Sequence, residues 1–450
     1  MSSRARLRIA AALALSGLTT LVASSCSVDL GDMPARCSDG QCPDGYDCIQ
    51  GVCALPGTKV PITVGRTGNL RGVDLRIVPQ SGSILVAWET YAYSPELQGF
   101  VGRRIFPDGT ASQVLDLDKT FEADAGLLEP YFDLLPIDDT HALLAVTAPA
   151  VDDDPRPRIA IYGVSLPAEH AESEGATSSR VGDELRVSTI GYGAVSRPRL
   201  ARVGPDDVEL GYVVSRATDT ATSAALGVLD LDATGKVRAP LPTCVTGATP
   251  DTCPAVRLGD LPVAVGVLDA FGVGGETFWT LDDARPSVLA YDVDAMPVEL
   301  ALPPLAVPLV ADASGVVYLE PSARGGTQLP SDPVEGPASL GRVQIATPTK
   351  DEHLFELPGI RDTPRPAWIP RDGKPSLLVT PGTAIDSPTL DVFQVDTTTG
   401  EAKSVATIER FSSLEVGAVG AALVDGHLYV VWFDDGDDQA TIRAAVLDEP

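Results

Sequence analysis

Between residues 59 and 450 one arrangement recurs seven times: a short apolar run, a variable polar stretch, then a second apolar run, often closed by Asp or Thr with Gly. The pairs are SILVAWE with FVGRRIFPDGT, HALLAVT with RIAIYGVSL, VELGYVVS with AALGVLDLDATGK, ETFWTL with SVLAYDVD, GVVYLE with LGRVQIATPTK, SLLVTP with LDVFQVDTTTGE, and HLYVVWF with ATIRAAVLD. A lead-in segment precedes several pairs (RPRLARVGPDD, RPAWIPRDG, VGAVGAALVDG). A fourth short run follows several others (QVLDL, ELRVS, VELAL, HLFEL, SVATIE). Runs this rich in Val, Leu, Ile, Ala and Tyr read as strands. The 42 Gly and 38 Pro punctuate them as turns, and long amphipathic helical patterns are absent.

A four-stranded unit of this size, repeated four to eight times, predicts a β-propeller, in which each sheet covers the faces of its neighbours. The expected fold is therefore all-β, with a single seven-bladed propeller over residues 59–450 and about 56 residues per blade. The spacing leaves the count open by one blade, because the fourth unit starts near Glu276 and the fifth near Gly315. The two ends of the region supply an internal check. The seventh unit ends at ATIRAAVLDEP with no fourth run, while TKVPITVG, residues 58–65, stands before the first unit with no unit of its own. Pairing that segment onto the last blade closes the ring and hides both open edges. Stacked β-sandwiches are the competing architecture. They require a linker, and no Ser/Gly-rich or charged linker lies near the middle.

The 450 residues are 44% hydrophobic and 21% charged, as in an ordinary globular chain. Lys and Arg total 33 against 62 Asp and Glu, a formal net charge of -29. A chain this acidic lacks the basic footprint that phosphates demand, so no nucleic-acid partner is expected. It is also repelled by anionic lipid; the acidity favours neutral or cationic partners, and solubility alone accounts for it more readily than any specific cationic ligand.

The amino terminus departs from the rest. Arg4, Arg6 and Arg8 form a positive region with no acid before Asp29, and Ile9 to Ala23 is a 15-residue apolar run broken only by Ser16, Gly17, Thr19 and Thr20. That run is short for a bilayer span and suits a secretory signal. Ala23, Ser24 and Ser25 then precede Cys26. The stretch resembles a bacterial lipobox, in which cleavage exposes a cysteine that becomes diacylated; Ala23 stands where that family usually has Leu. An ordinary signal-peptidase cut after Ser25 is the alternative. Parity favours lipid: seven cysteines leave one unpaired, whereas lipid on Cys26 leaves six. The resemblance implies residues 1–25 as lipoprotein signal, Cys26 as anchor and 26–36 as tether. Its only membrane contact would be that anchor. Ser27 directly after Cys26 resembles an outer-membrane sorting choice, which implies an exported protein held to the cell envelope.

Cys37, Cys42, Cys48 and Cys53 follow with spacing C-x4-C-x5-C-x4-C, around the turn of Pro43, Asp44 and Gly45. Seventeen residues cannot build a core, so cross-links must hold residues 37–53 together. Zinc is the weaker reading, since the spacings are loose for zinc and no histidine lies nearby. Four cysteines allow three pairings; we take Cys37–Cys48 with Cys42–Cys53. The pattern resembles the small EGF-like or dickkopf-like modules that stand behind the lipid anchor in exported myxobacterial proteins. That resemblance implies an anchored envelope protein and no activity. Cys244 and Cys253, in CVTGATPDTC, are expected to close a Thr/Gly/Pro loop with a disulfide.

Motifs of catalysis are scarce. There are four histidines, and His141 and His427 both open an apolar run, before ALLAV and LYVVW. Equivalent places in a repeat argue for structure, while His170 in PAEHAESEG reads as solvated. No H-E-x-x-H helix, phosphate loop or G-x-S-x-G elbow occurs. No catalytic residue is assigned and no cofactor is expected. Calcium, which takes six to eight oxygen ligands, has weak candidates in Asp434, Asp435, Asp437 and Asp438 of FDDGDDQ and in Asp230 and Asp232 of LDLDATG. Asp152, Asp153 and Asp154 form a similar run, although Asp and Gly also favour hairpin turns for backbone reasons alone. Propeller sialidases carry repeated Asp-containing turns and an arginine triad. PDGTAS and TTTGEA echo the turns, but nothing in the sequence aligns Arg103, Arg104, Arg197, Arg199 and Arg365. Trp88 and Trp432 occupy matching places in LVAW and YVVW, which argues for packing between blades; Trp279 and Trp368 also fall on candidate strands.

Three functions fit these features. The first is a non-catalytic, lipid-anchored envelope protein that binds a protein, peptide or glycan through the propeller's loop face. The second is an exported hydrolase or lyase acting on polysaccharide. The third is a structural subunit of an outer-membrane assembly. The scarcity of His and the lack of a nucleophile signature favour the first.

Overall fold

The computed structural model describes residues 42, 45–49, 52–54, 60–67, 75–90, 99–118, 132–148, 158–166, 177–182, 185–186, 198–217, 222–238, 257–260, 268–274, 277–282, 287–292, 298–303, 306–312, 315–321, 338–344, 346–357, 366–371, 373–382, 389–397, 399, 401–410, 416–434 and 440–450. The chain divides into two compact units, residues 1–60 and 61–450. In the first, β1 (Asp47–Ile49) and β2 (Val52–Ala54) form an antiparallel hairpin with Cys48 opposite Cys53. Cys42 is disulfide-bonded to Cys53. Cys48 is also in a disulfide. Gly45 takes φ +92° in the turn read from the sequence, a conformation that favours glycine. Cys26 and Cys37 lie outside the described residues, as do Cys244 and Cys253.

The second unit is all strand among its described residues, apart from turns. It opens with β3 (Ile62–Thr67). Blade 1 follows with β4 (Leu75–Gln80), β5 (Ser83–Thr90), β6 (Gly99–Ile105) and β7 (Leu115–Asp118). Blade 2 has β8 (Phe132–Pro136), β9 (His141–Ala148), β10 (Arg158–Ser165) and, sharing the outer edge of β10, β11 (Thr177–Arg180) and β12 (Leu185–Arg186). Blade 3 has β13 (Arg199–Arg202), β14 (Asp207–Ala217), β15 (Thr222–Asp232) and β16 (Arg257–Asp260). Blade 4 has β17 (Leu268–Gly274), β18 (Thr277–Asp282), β19 (Ser287–Asp292) and β20 (Val298–Ala301). Blade 5 has β21 (Val307–Asp312), β22 (Gly315–Pro321), β23 (Ala338–Gln344) and β24 (Thr347–Leu357). Blade 6 has β25 (Ala367–Ile369), β26 (Ser376–Pro381), β27 (Thr389–Asp396) and β28 (Glu401–Glu409). Blade 7 has β29 (Val416–Val424), β30 (His427–Asp434), β31 (Ala440–Asp448) and, as its fourth strand, β3.

These strands define a seven-bladed β-propeller. The first strands touch in a complete circuit, β4 to β8, β13, β17, β21, β25, β29 and back to β4, so they form the inner wall of the ring. The closure expected from the chain's two ends is present. Ile62 pairs with Ala444, Thr63 with Arg443 and Thr67 with Ala440, all antiparallel. The strand starts at Ile62 rather than Thr58. In blade 3 the fourth strand comes after the segment holding Cys244 and Cys253, a strand the sequence reading did not mark.

Among the described residues, blades pack through alternating side chains of their second strands. Ile84, Val86 and Trp88 of β5 join a core with Val64, Tyr429 and Phe433 of blade 7. Leu85 and Ala87 join another with Phe132, Leu144 and Val146 of blade 2. In β30, Leu428, Val430 and Trp432 meet Leu377 and Val379 of blade 6, while their alternates face blade 1. With both faces covered, such strands read as continuous apolar runs. Each buried Leu, Val or Phe stabilises the fold by roughly 1.5–3 kcal/mol. Trp88 and Trp432 each face the preceding blade, as their matching places implied.

Gly65 of β3 lies directly under the Trp88 ring, and a Cβ there would overlap the indole. Gly65→Ala is therefore expected to cost about 1–3 kcal/mol, the usual range for overpacking. Urea unfolding would register this as a lower midpoint with an unchanged slope.

Candidate functional site

Strand direction sorts the connections of the ring to its two ends. First-to-second and third-to-fourth connections leave from one end, the turn end. Second-to-third connections, and those from one blade to the next, leave from the other. The turn end carries short turns whose carboxylates bind neighbouring backbone, together with the longer third-to-fourth connections 166–176 and 233–256. Asp139 accepts hydrogen bonds from Ser81 N (3.0 Å) and Ser81 Oγ (2.7 Å) of the adjoining blade. Asp425, at φ +48°, accepts one from Gly82 N at 2.9 Å. Thr140 donates to Asp138 from both backbone and hydroxyl and holds that carboxyl down to about 2. Blades 1 and 3 repeat one turn: Gly109 and Gly235 take φ +80° and +83°, and the bonds from Phe106 N to Thr110 O, Gly109 N to Phe106 O and Ser112 N to Arg104 O recur as Asp232 N to Lys236 O, Gly235 N to Asp232 O and Arg238 N to Asp230 O.

At the opposite end two clusters of charge bridge blades. The first lies at the starts of three inner-wall strands. Arg76 Nε of β4 donates to Asp133 Oδ1 of β8 at 2.8 Å, and Leu200 N of β13 donates to Asp133 Oδ2 at 2.7 Å. Arg199 Nη1 stands 3.7 Å from the same carboxylate. Arg76 Nη2 also donates to Phe132 O, and its guanidinium lies 5.8 Å from the Phe132 ring centre. An inner strand has a neighbour within its sheet on one side only, so its remaining backbone groups need other partners. Arg76 and Asp133 supply them, stitching blades 1, 2 and 3 around the wall.

The second cluster centres on Asp434, the last residue of β30. Its Oδ1 accepts hydrogen bonds from Arg410 Nη2 at 2.9 Å and Trp432 Nε1 at 3.1 Å, and Arg443 Nε is 3.5 Å from Oδ2. The Arg410 and Asp434 side chains are 1% and 2% exposed. Burial pushes the Asp434 carboxyl up, against the opposing pull of Arg410 and Arg443.

The residues singled out in the sequence fall as follows. Asp434 is an ion-pair partner inside the blade 6–blade 7 contact, and Asp435, Asp437 and Asp438 lie outside the described residues. Asp232 accepts from Thr234 N, Thr234 Oγ1 and Lys236 N, which occupies it within its own turn, while Asp230 is exposed. Among the described residues no group of three or more His, Cys, Asp or Glu is placed to hold a metal ion. His141 is exposed beside Asp138 and Thr140, and His427 lies 3.6 Å from Asp448. Arg103 and Arg104 sit on β6, where Arg104 binds Gln80 Oε1 and Asp139 O; Arg199 is in blade 3. Arg197 and Arg365, like His170, fall outside the described residues. The sequence reading missed Arg76, Asp133, Arg410 and Arg443. The one available signal was a charge set inside an apolar strand, as in FDLLP and LRIVPQ.

No family model matches the chain, and no curated protein matches it. Solved structures similar to it include a Trypanosoma rangeli sialidase in complex with sialic acid (9% identity, TM-score 0.39, covering 91% of this chain and 58% of that one). The β-propeller domain of a Pyrococcus furiosus Trilobed protease is another (7% identity, TM-score 0.39, 85% and 97%). A third is an acylaminoacyl peptidase of Pyrococcus horikoshii (7% identity, TM-score 0.41, 85% and 53%). This chain spans somewhat over half the length of that sialidase. The propeller assignment itself stands on the strand pairing and the closed circuit of inner strands.

Removing the Asp133 carboxylate leaves Arg76 and the Leu200 amide without their shared acceptor. Asp133→Ala is expected to cost roughly 2–4 kcal/mol, and Asp133→Asn distinctly less because the amide oxygen still accepts from Leu200 N. Paired urea titrations of the two variants check the order.

Proposed function

We propose that this chain is an exported envelope protein, anchored by lipid on Cys26, whose propeller binds a protein, peptide or glycan without catalysing a reaction. The observation that favours this reading is the direction of β3. Its register, from Ile62 opposite Ala444 to Thr67 opposite Ala440, makes the chain enter the ring from the turn end. The end that carries the second-to-third and blade-to-blade connections is then the one away from the point of entry. Connections of this kind carry recognition in proteins whose scaffold is rigid. The stitched inner wall and the buried Asp434 cluster brace that end, a suitable platform for binding loops. The occupied carboxylates of Asp133 and Asp434, each held by arginine, suit bracing better than acid–base chemistry.

Two measurements test the proposal. Expressed with its own leader in a bacterium that processes lipoproteins, the wild type should partition into detergent and carry a diacylglyceryl mass increment. Cys26→Ala should remain in the aqueous phase. An unmodified, water-soluble wild type would refute the anchor. Photo-crosslinkers placed at Ala384, in the 383–388 connection, and at Gly373, in the turn between β25 and β26, test the face. Adducts are expected at Ala384, and adducts confined to Gly373 would reverse the orientation.

A further inference from the structure

The seam where the ring closes is crossed by a continuous chain of polar contacts. It starts in blade 6 with Arg410, which grips Asp434 of β30 at 2.9 Å. Asp434 Oδ2 faces Arg443 Nε of β31 at 3.5 Å, and Arg443 Nη1 donates to Thr63 Oγ1 of β3 at 2.8 Å. Beyond Thr63 the pairing of β3 with β31 slips: Thr63 is opposite Arg443 but Gly65 is opposite Ile442, so Val64 is a bulge. A bulge withdraws backbone groups from the ladder, and those groups need other partners. Arg103 of blade 1 provides one. Its Nη1 donates to Thr63 O at 3.0 Å and to Val64 O at 3.2 Å, while its Nε is fixed by Ser112 O.

β3 is six residues long, and the pairing it makes is with β31 alone, a strand almost the whole unit away in sequence. Such an element gains least from local contacts and opens at lower free energy than a strand paired on both sides. The polar chain touches this strand at the bulge from both flanks.

We propose that these contacts form the latch of the ring: they set whether β3 stays paired, and when they are weakened the ring opens at this seam while the other blades stay folded. Arg443 and Thr63 act here as positioning residues, and the latched state holds blades 6, 7 and 1 in one register.

The test uses the complete exported chain with two mild variants, Arg443→Met and Thr63→Val, beside wild type. Asp434→Asn is not required, since an uncompensated buried arginine could prevent folding. Hydrogen exchange is followed in 62–67 and in 207–217, the β14 strand of blade 3. A labelled peptide of residues 58–68 is offered as a replacement strand. In both variants 62–67 is expected to exchange roughly tenfold faster or more while 207–217 keeps its wild-type rate, and the peptide should be taken up by the variants and not by wild type. Acceleration of both segments together would mean that the seam does not open by itself and would overturn the proposal. So would wild-type exchange at 62–67 in both variants, or equal peptide uptake by wild type.

Discussion

The ladder between Ile62–Thr67 and Ala440–Asp448 decides whether this chain is a ring. Without it blade 7 has three strands, β31 presents an open edge, and Trp88 loses Gly65 beneath its ring. An open sheet edge invites pairing with other chains, which closure prevents. The core shared by blades 7 and 1 draws Ile62 and Val64 from the beginning of the unit and Tyr429, Phe433 and Ile442 from its end. Hydrophobic burial at the seam and backbone pairing across it therefore form together or not at all.

The charged side chains follow the same logic. In a propeller the inner strands leave backbone groups facing the axis, and here the closing strand pairs with a partner nearly the whole unit away in sequence. Arg76 and Asp133 answer the first problem, and Arg103 and Arg443 the second. Burying arginine and aspartate is costly unless the geometry satisfies them; Asp434 Oδ1 takes hydrogen bonds from Arg410 and Trp432, and Oδ2 faces the Arg443 guanidinium at 3.5 Å. Both clusters stand at the end opposite the tight turns. A braced scaffold of this kind is shared by propellers with many different activities, so function has to be argued from the connections it displays.

Much of the architecture was legible because two-sided burial makes second strands such as β5 and β30 read as nearly continuous apolar runs. HLYVVWF and SILVAWE announce themselves, and their tryptophans mark equivalent faces. The inner and outer strands were harder to see. β8 is FDLLP, whose Asp133 meets Arg76 and the Leu200 amide of other blades, and β16 is RLGD, four residues of which two are charged. The extra outer strand TSSR of blade 2 has no apolar signature at all. At the candidate site the sequence singled out Asp434 without showing its partner. Four carboxylates in seven residues suggest a cation, but the partner of Asp434 is Arg410, 24 residues earlier, and only the packing of blade 6 on blade 7 brings them together. Arg76 and Asp133, 57 residues apart, show the same limit: a repeat predicts where strands go, and not which charges meet across them.

Closure can be tested by covalent capture. Arg66 and Thr441 are direct partners across the seam, and antiparallel partners bring Cα atoms to roughly 4.5–5.5 Å, within reach of a disulfide. In a chain carrying Arg66→Cys and Thr441→Cys, exported to an oxidising compartment, a closed ring forms a 66–441 bridge in monomeric protein, read by mass mapping of the unreduced chain. Two thiols that stay unjoined under oxidant, or that join only between molecules, would contradict the closed ring.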